Sequence, residues 1–563
     1  MARKVRMAFL SAIAAIVFLA SVYHNLFRHY QIPVEYLRQP PVSDNPQNNV
    51  NYAIREEVNH QSSRHVSFVP AADSISSVSI LLPAWEVLVI LSPETTTLFS
   101  DSSMSEYACL FANNDTSPAK PARSLQFTNR KTFKCLLPNR VRRRLPFLQP
   151  MLTKSPANRP EREYPVAELM RWNFLVYESI STENDVILFV KGLNNRQGMI
   201  RQPTEFRCVF GDDVINGVKT AVTTSFQEVF RCQRPELTAV FTSGGDEQNE
   251  RIKISVEISE EKRVVPSVAY HTPVRTIAIQ KEKSLLCACT MVYNVAKFLK
   301  EWVVYHSKIG VEKFILYDND SDDDLEETVE ELVEEGHDVR TLFWLWPKTQ
   351  EAGFSHCAIY AKDSCTWMLY IDVDEFVYSP SWLNSSQPSN HMLKSLLPIE
   401  NIIGQVMISC YEFGPSNHKS HPVLGVTQGY NCRRQSDNRH KSIVLLDAID
   451  ESLLNVIHHF RLREGYRNKK LRIQDAAVNH YKYQAWPEFK AKFRRRVSAY
   501  VVDWTKAVNP MSKDRTPGLG FAPIEPSGWP EKFCEVHDNR LTELTRRWFG
   551  SESPLGYQMA WQR

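Results

Sequence analysis

The sequence predicts an α/β protein, with a mainly parallel sheet in the C-terminal half and a β-rich segment before it. Three observations carry that reading. From residue 284 onward, short apolar runs alternate with stretches of helical periodicity, the pattern of βαβ units. Between residues 76 and 273, strand-like runs alternate with turn signals instead. Finally, Trp367-Met368-Leu369-Tyr370-Ile371 is an apolar run too short for a comfortable helix, and it leads straight into Asp372-Val373-Asp374-Glu375. Carboxylates that emerge where a buried strand ends lie at the mouth of a sheet, where open α/β folds hold their ligands.

A chain of 563 residues is long for one domain, and its 43% hydrophobic and 23% charged residues mark it as globular. A net charge of +3 gives no case for a nucleic-acid partner. Arg3, Lys4 and Arg6 make residues 1–6 a basic tail ahead of an uncharged apolar run over 7–23. That run reaches the short end of what spans a bilayer, and the charge before it predicts a cytosolic N-terminus with the remainder lumenal. We read an uncleaved signal anchor, with a cleaved signal peptide as the alternative because Ala20 and Ser21 are small. A short span suits the thinner membranes of the early secretory pathway. Residues 24–75, rich in Pro, Asn, Gln and Ser, read as a flexible stem.

In the 76–273 segment, Ser79-Ile80-Leu81-Leu82, Val87-Leu88-Val89-Ile90-Leu91 and Val186-Ile187-Leu188-Phe189-Val190 read as strands. The run from Ile252 to Ile258 alternates apolar and polar residues, as a strand with one buried face does. Such a series suggests a β-sandwich, serving either to bind carbohydrate or as a spacer. Tyr107, Phe133, Phe206 and Phe230 each stand two residues before a cysteine, on the same strand face, and we expect bridges Cys109–Cys135 and Cys208–Cys232. Eleven cysteines suit an oxidising lumen, and the odd number leaves at least one outside any intramolecular pair. Cys287-Ala288-Cys289 has the wrong spacing for a redox or zinc motif, while Asn114-Asp115-Thr116 and Asn384-Ser385-Ser386 match the glycosylation acceptor pattern.

Within 284–550, strands are expected over 285–292, 313–317 and 339–345. The helix between the first two spans 296–309, with Phe298, Trp302, Val303 and Ile309 at helical spacing. A second helix begins near Asp322, with Ser321 as its cap and Asp322, Asp323 and Asp324 at its positive end. Leu325, Val329, Leu332 and Val333 would form its buried stripe, and its glutamates would face water. Residues 551–563 form a C-terminal tail.

The carboxylates carry the chemistry. Asp372 and Asp374 offer hard oxygen ligands that suit Mn²⁺ or Mg²⁺, ions that also hold diphosphate oxygens, which points to a nucleotide-sugar donor. A surface turn is the plain alternative. Asp318-Asn319 also stands where a strand ends, placed to hydrogen-bond a base or ribose.

From Ser284 to about Trp504, the chain resembles glycosyltransferase family 92, particularly its plant members. The resemblance lies in Cys289 through Val292-Tyr293-Asn294, Glu301-Trp302 with His306 and Gly310-Val311, and Tyr317-Asp318-Asn319 with Ser321. It continues in Trp367 through Phe376, Phe413-Gly414, His440-Lys441-Ser442-Ile443 and Asn479-His480-Tyr481. It implies a GT-A nucleotide-sugar-binding fold, inversion at the sugar carbon, UDP-galactose as donor, and, in the plant relatives, β-1,4-galactan of pectin as a Golgi acceptor. The β-rich segment also looks like the carbohydrate-binding-type region of those relatives. Two departures stand out. Val295-Ala296 follows Asn294 where many relatives carry an acidic residue, and Pro415-Ser416-Asn417 follows Phe413-Gly414 near the expected acceptor pocket.

Carried onto this sequence, the resemblance makes Asp374 a direct metal ligand, with Asp372 nearer the ribose or the metal's water shell. His480 becomes the third ligand, ahead of His458 and His459, and an imidazole in the set favours Mn²⁺ over Mg²⁺. Asn294, Asp318, Asp372 and Lys441 are expected around the donor. Lys441, or Arg494 and Lys490 on a later helix with Phe489, Phe493 and Val497 at intervals of four, would offset the leaving diphosphate. Inversion requires a general base, for which Glu412 is the first candidate and Asp437 and Asp475 the alternatives. The implied partners are a nucleotide-sugar donor, a glycan acceptor such as pectic galactan, and the Golgi membrane, without nucleic acid; a homodimer is left open.

Overall fold

The structure is a computed structural model. It describes residues 75–92, 107–154 apart from 127 and 144, 167–194, 200–211, 217–235, 252–271, 282–492 apart from 457, 518–519, and 522–562 apart from 555. The expected signal anchor lies outside these residues, as do all of the stem but its last residue and Phe493, Arg494 and Val497. Among the described residues no helix is long and apolar enough to cross a membrane.

The N-terminal half is built from two larger sheets and a small antiparallel sheet of Ala108–Leu110, Thr116–Pro118 and Met151–Thr153. The first holds β1 (Ser77–Leu81), β2 (Glu86–Leu91), β3 (Lys120–Leu125) and β4 (Arg130–Leu136) in the order β3-β4-β2-β1, with Met170–Arg171 added parallel to β1. The second is seven-stranded and uses β5 (Leu175–Ser181), β6 (Asp185–Lys191), β7 (Phe206–Phe210), β8 (Val218–Phe226), β9 (Val229–Gln233) and β10 (Ile254–Ile258), with Arg263–Val264 paired to β10 at its edge. The two larger sheets do not share a single core as a sandwich would. Strand β2 is apolar on both faces: Val87, Val89 and Leu91 pack in a cluster with Cys109 and Leu152 of the small sheet, while Leu88 and Ile90 face another. Likewise Val186, Leu188 and Val190 of β6 pack within the second sheet, while Ile187 and Phe189 face away from it. Both sets of outward apolar residues find the same partner, the α/β layer that follows.

That layer carries one nine-stranded mixed sheet. In chain order it contains β11 (Ser284–Val292), α1 (Ala296–Ile309), β12 (Lys313–Asp318), α2 (Leu325–Glu334), β13 (Val339–Phe343), α3 (Gln350–Tyr360) and β14 (Cys365–Tyr370). Then come β15 (Glu375–Tyr378), β16 (Ile403–Glu412), α4 (Val426–Gly429), β17 (His440–Leu445), β18 (Arg467–Lys470), β19 (Ala477–His480), α5 (Trp486–Ala491) and α6 (Arg540–Phe549). The strand order is β13-β12-β11-β14-β17-β16-β19-β15, with β18 beside β16. The four strands β13, β12, β11 and β14 run parallel; β17 is antiparallel to both its neighbours.

The two halves meet in one hydrophobic cluster. Ile80, Leu88, Trp172, Tyr177 and Phe189 from the β-rich half pack with Tyr317, Trp344, Trp346, Phe354 and Tyr370. Trp172 stacks on Trp346 with ring centres 5.7 Å apart and planes 3° off parallel. Gln227 spans the seam by donating to the Asn455 carbonyl at 2.8 Å.

Two local expectations for α2 fail. Helix α2 begins at Leu325, and Ser321 does not cap it; the Ser321 hydroxyl instead accepts the Asn294 N–H at 3.0 Å. Leu325 and Leu332 are buried and Val329 is half-buried, but Val333 is 50% exposed. Five disulfides are present: Cys109–Cys135 and Cys208–Cys232, as the aromatic spacing suggested, with Cys287–Cys365, Cys289–Cys357 and Cys432–Cys534. Cys287 and Cys289 both leave β11 on one face to bridge β14 and α3. Cys410 is free and buried.

Candidate active site

The parallel strands deliver their C-terminal ends to one edge. Asp318 is in register with Val292, and Tyr370 with Cys289, so Asp372, two residues beyond β14, emerges level with the end of β12. The chain then turns and re-enters the sheet as β15. Its first residue, Glu375, is the cross-strand partner of His480 on β19, which in turn is the partner of Glu412 at the end of β16. Cross-strand partners lie close together. This topology gathers residues far apart in sequence into a row beside the Asp372–Asp374 turn.

Asp374, Glu375 and His480 present ligand atoms that all lie within 4.8 Å of one another. His480 Nε2 is 3.7 Å from Asp374 Oδ1, and its Nδ1 is 3.3 Å from Glu375 Oε1. Asp374 and Glu375 are buried. Two lysines close on the cluster. Lys441 Nζ contacts Asp372 Oδ2 at 2.9 Å and Glu375 Oε1 at 2.8 Å, and donates to His458 Nε2 at 2.7 Å. Lys492, at the end of α5, donates to Asp374 Oδ2 at 3.0 Å. Asp372 also accepts from Gln350 at 3.2 Å, while its own backbone N–H donates to Glu375 Oε2 at 2.9 Å.

Burial and charge set the protonation states. Burial pushes the Asp372 carboxyl up, but Lys441 and His458 together outweigh it and hold the group well below the usual range. Burial lifts Glu375 to about 8, against the pull of Lys441 and with the help of Asp372 and Asp374. Burial lowers Lys441 less than the two carboxylates raise it, so it stays charged. Burial drops His480 to about 3, which keeps its imidazole neutral and available as a ligand. A carboxylate, a carboxyl group that a bound cation would deprotonate and a neutral imidazole form a donor set suited to Mn²⁺.

The expected residues fall into groups. Asp374 and His480 come together, and Glu375 joins them; Asp372 points instead to Lys441, with His458 Nε2 at 3.4 Å. Lys441 sits at the centre of the carboxylates. Glu412 adjoins His480, but its carboxylate is held by Lys482, by Asn438 at 3.2 Å and by the Tyr483 hydroxyl at 3.4 Å. Asn294 and Asp322 exchange hydrogen bonds, tying the loop after β11 to the loop after β12. The Asp318 side chain is fully covered, by Arg123 of β3. His459 bridges the Ser442 hydroxyl and the His440 carbonyl, a role within the sheet. Asp475 is clamped by Arg472 at 2.9 Å, and Asp437 and Lys490 are exposed. Sequence reasoning missed Glu375, Lys492 and Arg123. Glu375 stood in the quoted run, but only strand pairing turns it toward His480.

Residues 282–516 match the family model for glycosyltransferase family 92. A glycosyltransferase family 92 protein of Arabidopsis thaliana is 42% identical over 405 residues, which cover 70% of this chain and 69% of that protein. One from Ricinus communis is 36% identical over 516 residues, 88% of this chain and 89% of the relative. The chain belongs to glycosyltransferase family 92. Its rice relative is 40% identical over 68% of each chain. Among solved structures, Staphylococcus aureus TarS 1-349 is similar at 9% identity and a TM-score of 0.24, over 41% of this chain and 77% of that one. A mannosyltransferase from Pyrobaculum calidifontis in complex with GDP-Man and Mn²⁺ is similar at 12% identity and a TM-score of 0.24, over 42% and 68%. For this family 92 chain, then, the row of carboxylates at the sheet mouth belongs to a glycosyltransferase.

Proposed function

We propose that this family 92 glycosyltransferase is a divalent-metal-dependent, inverting enzyme of GT-A type that moves galactose from UDP-galactose onto a β-galactan or related cell-wall glycan. The observation that carries the reading is the convergence of Asp374, Glu375 and His480 at the C-terminal edge of the parallel strands. These three residues would hold Mn²⁺, which when bound offsets charge on the diphosphate. Lys441 and Lys492, which pair with the carboxylates, would face diphosphate oxygens and stabilise the charge that develops as the glycosidic C–O bond breaks. Glu412 takes the proton from the acceptor hydroxyl as its oxygen bonds to the anomeric carbon from the side opposite the diphosphate. Lys482 and Asn438 fix the orientation of that carboxylate. We place the catalytic part in the Golgi lumen, held by the 7–23 anchor as a type II protein; five disulfides support an oxidising compartment.

A donor panel of UDP-galactose, UDP-arabinopyranose and UDP-glucose, offered with a β-galactan acceptor with and without Mn²⁺, tests this. Transfer from UDP-galactose alone, only with the metal, and with a β-linked product is expected. Preference for another UDP-sugar would redirect the donor assignment. Retained transfer by Asp374→Ala would remove the metal role, and glycan binding without turnover would make the chain a carbohydrate-binding protein.

A further inference from the structure

We propose that Arg123 of the β-rich half completes the nucleoside end of the donor pocket, making that half part of the catalytic site. The proposal rests on the donor reading above and adds to it a residue from outside the α/β layer. Strand β3 lies against the open edge of the nine-stranded sheet, where the Phe343 N–H donates to Gln126 Oε1 at 3.2 Å and Lys134 of β4 pairs with Asp320. The Arg123 backbone is fixed by the Thr132 hydroxyl, which donates to its carbonyl at 2.9 Å. Its guanidinium bonds Asp318 and approaches Glu326 at 3.2 Å, with its carbon 6.0 Å from the centre of the Phe343 ring.

Exposure decides which group a ligand meets there. The Asp318 side chain is 0% exposed, whereas Arg123 keeps 34% of its own open. Asp318 is further committed to the Ser321 N–H at 2.9 Å. What the end of β12 offers to a ligand is therefore a guanidinium held in place by a buried carboxylate. Distance fits as well. Strands β12 and β14 flank β11, and strands lie about 4.8 Å apart, so Asp318 stands about 10 Å across the sheet from the Asp372 turn. That separation suits a nucleoside whose diphosphate lies at the metal ligands. A guanidinium has five N–H donors in a planar fork; those not turned to Asp318 and Glu326 match the carbonyl oxygens of a pyrimidine or the hydroxyl oxygens of ribose.

The test compares two ligands of the full chain in detergent by calorimetry with Mn²⁺: UDP, which reaches the nucleoside end, and inorganic diphosphate, which does not. Arg123→Ala is expected to weaken UDP about 10-fold while diphosphate changes less than twofold, and Arg123→Lys to fall between. Arg231→Ala, which removes a contact across the same seam to the Glu451 carbonyl, should leave both affinities unchanged. Unchanged UDP binding in Arg123→Ala, or equal losses for both ligands, overturns the proposal. If Arg123→Ala does not fold, an unchanged UDP-to-diphosphate ratio in Arg123→Lys does the same. A wild-type chain that binds diphosphate but not UDP refutes this assignment and leaves the metal site standing; one that binds neither withdraws the donor reading with it.

Discussion

At the scale of single residues, the site is a set of opposed charges whose geometry makes each dependent on the others. Lys441 touches both the half-buried Asp372 and the buried Glu375, so its removal strips both of a shared counter-charge as well as depriving a diphosphate of one. Lys441→Met is expected to lower kcat by about 10²–10³-fold, the range for one preorganised electrostatic contact, with the protein still folded by circular dichroism. An activity within twofold of wild type would assign Lys441 to structure alone. Asp372 and Asp374 were legible as ligand-type residues from the strand before them, and His480 only through resemblance. Glu375 and Arg123 were not legible. One depends on a cross-strand partner 105 positions away and the other on packing between halves of the chain, and local sequence pattern encodes neither.

At the scale of elements, helix α4 shows how a short segment is held by one buried group. Its four residues are too few to be stable alone, and Glu301 of α1 accepts the Val426 and Thr427 N–H groups at 2.7 and 2.9 Å and the Thr427 hydroxyl at 2.6 Å. Gly425, just before it, has φ +103°, and a Cβ there would lie 2.5 Å from Glu301 Oε2. Gly425→Ala should therefore cost about 1–3 kcal/mol, read as a lower denaturation midpoint; an unchanged midpoint would contradict the packing. Burial lifts the Glu301 carboxyl to about 7 despite those hydrogen bonds. Its unfolded value is near 4.3, so between these values the folded state binds more protons. Stability contributed by this group thus falls as pH rises from about 4.3 to 7 and is level above. Glu301→Gln should flatten that part of the stability-versus-pH curve, and an identical slope in the variant would refute the assignment.

Helix α6 is secured differently. Burial pushes Asp538 up, but Arg540 and Arg433 outweigh it and hold the carboxyl at about 2. A lowered carboxyl gives stability that is present above its unfolded value, near 3.9, and is lost as pH falls toward 2. Asp538→Asn should cost about 3 kcal/mol at neutral pH, because it leaves the 2.7 Å partner Arg433 charged and nearly buried. A cost below 1 kcal/mol by urea unfolding would count against this.

At the scale of the whole molecule, the β-rich and α/β halves fold onto a common core. Trp344, Trp346, Tyr317 and Phe354 lie under Trp172, Tyr177 and Phe189, so a chain cut to residues 282–563 would expose a large aromatic surface. Such a fragment is expected to aggregate on expression; a soluble fragment with a cooperative melt would show that the α/β half stands alone.

The sequence by itself determined the local half of this protein. Short apolar runs and helical spacing placed β11, α1, β12, β13 and β14 within a few residues, because a strand buried on both faces leaves an apolar run and a helix buried on one face leaves its period in the chain. Aromatic-cysteine spacing likewise anticipated two of the five disulfides. The tertiary structure decided the rest. It turned both faces of β2 and β6 into contact surfaces, gave Ser321 to Asn294 instead of to a helix cap, set Glu375 beside His480, and laid Arg123 over Asp318. Each of these depends on which distant segment supplies the neighbour, and a hydrogen bond or buried face satisfies the chain equally well whichever segment provides it. That choice is made only when the whole sheet closes.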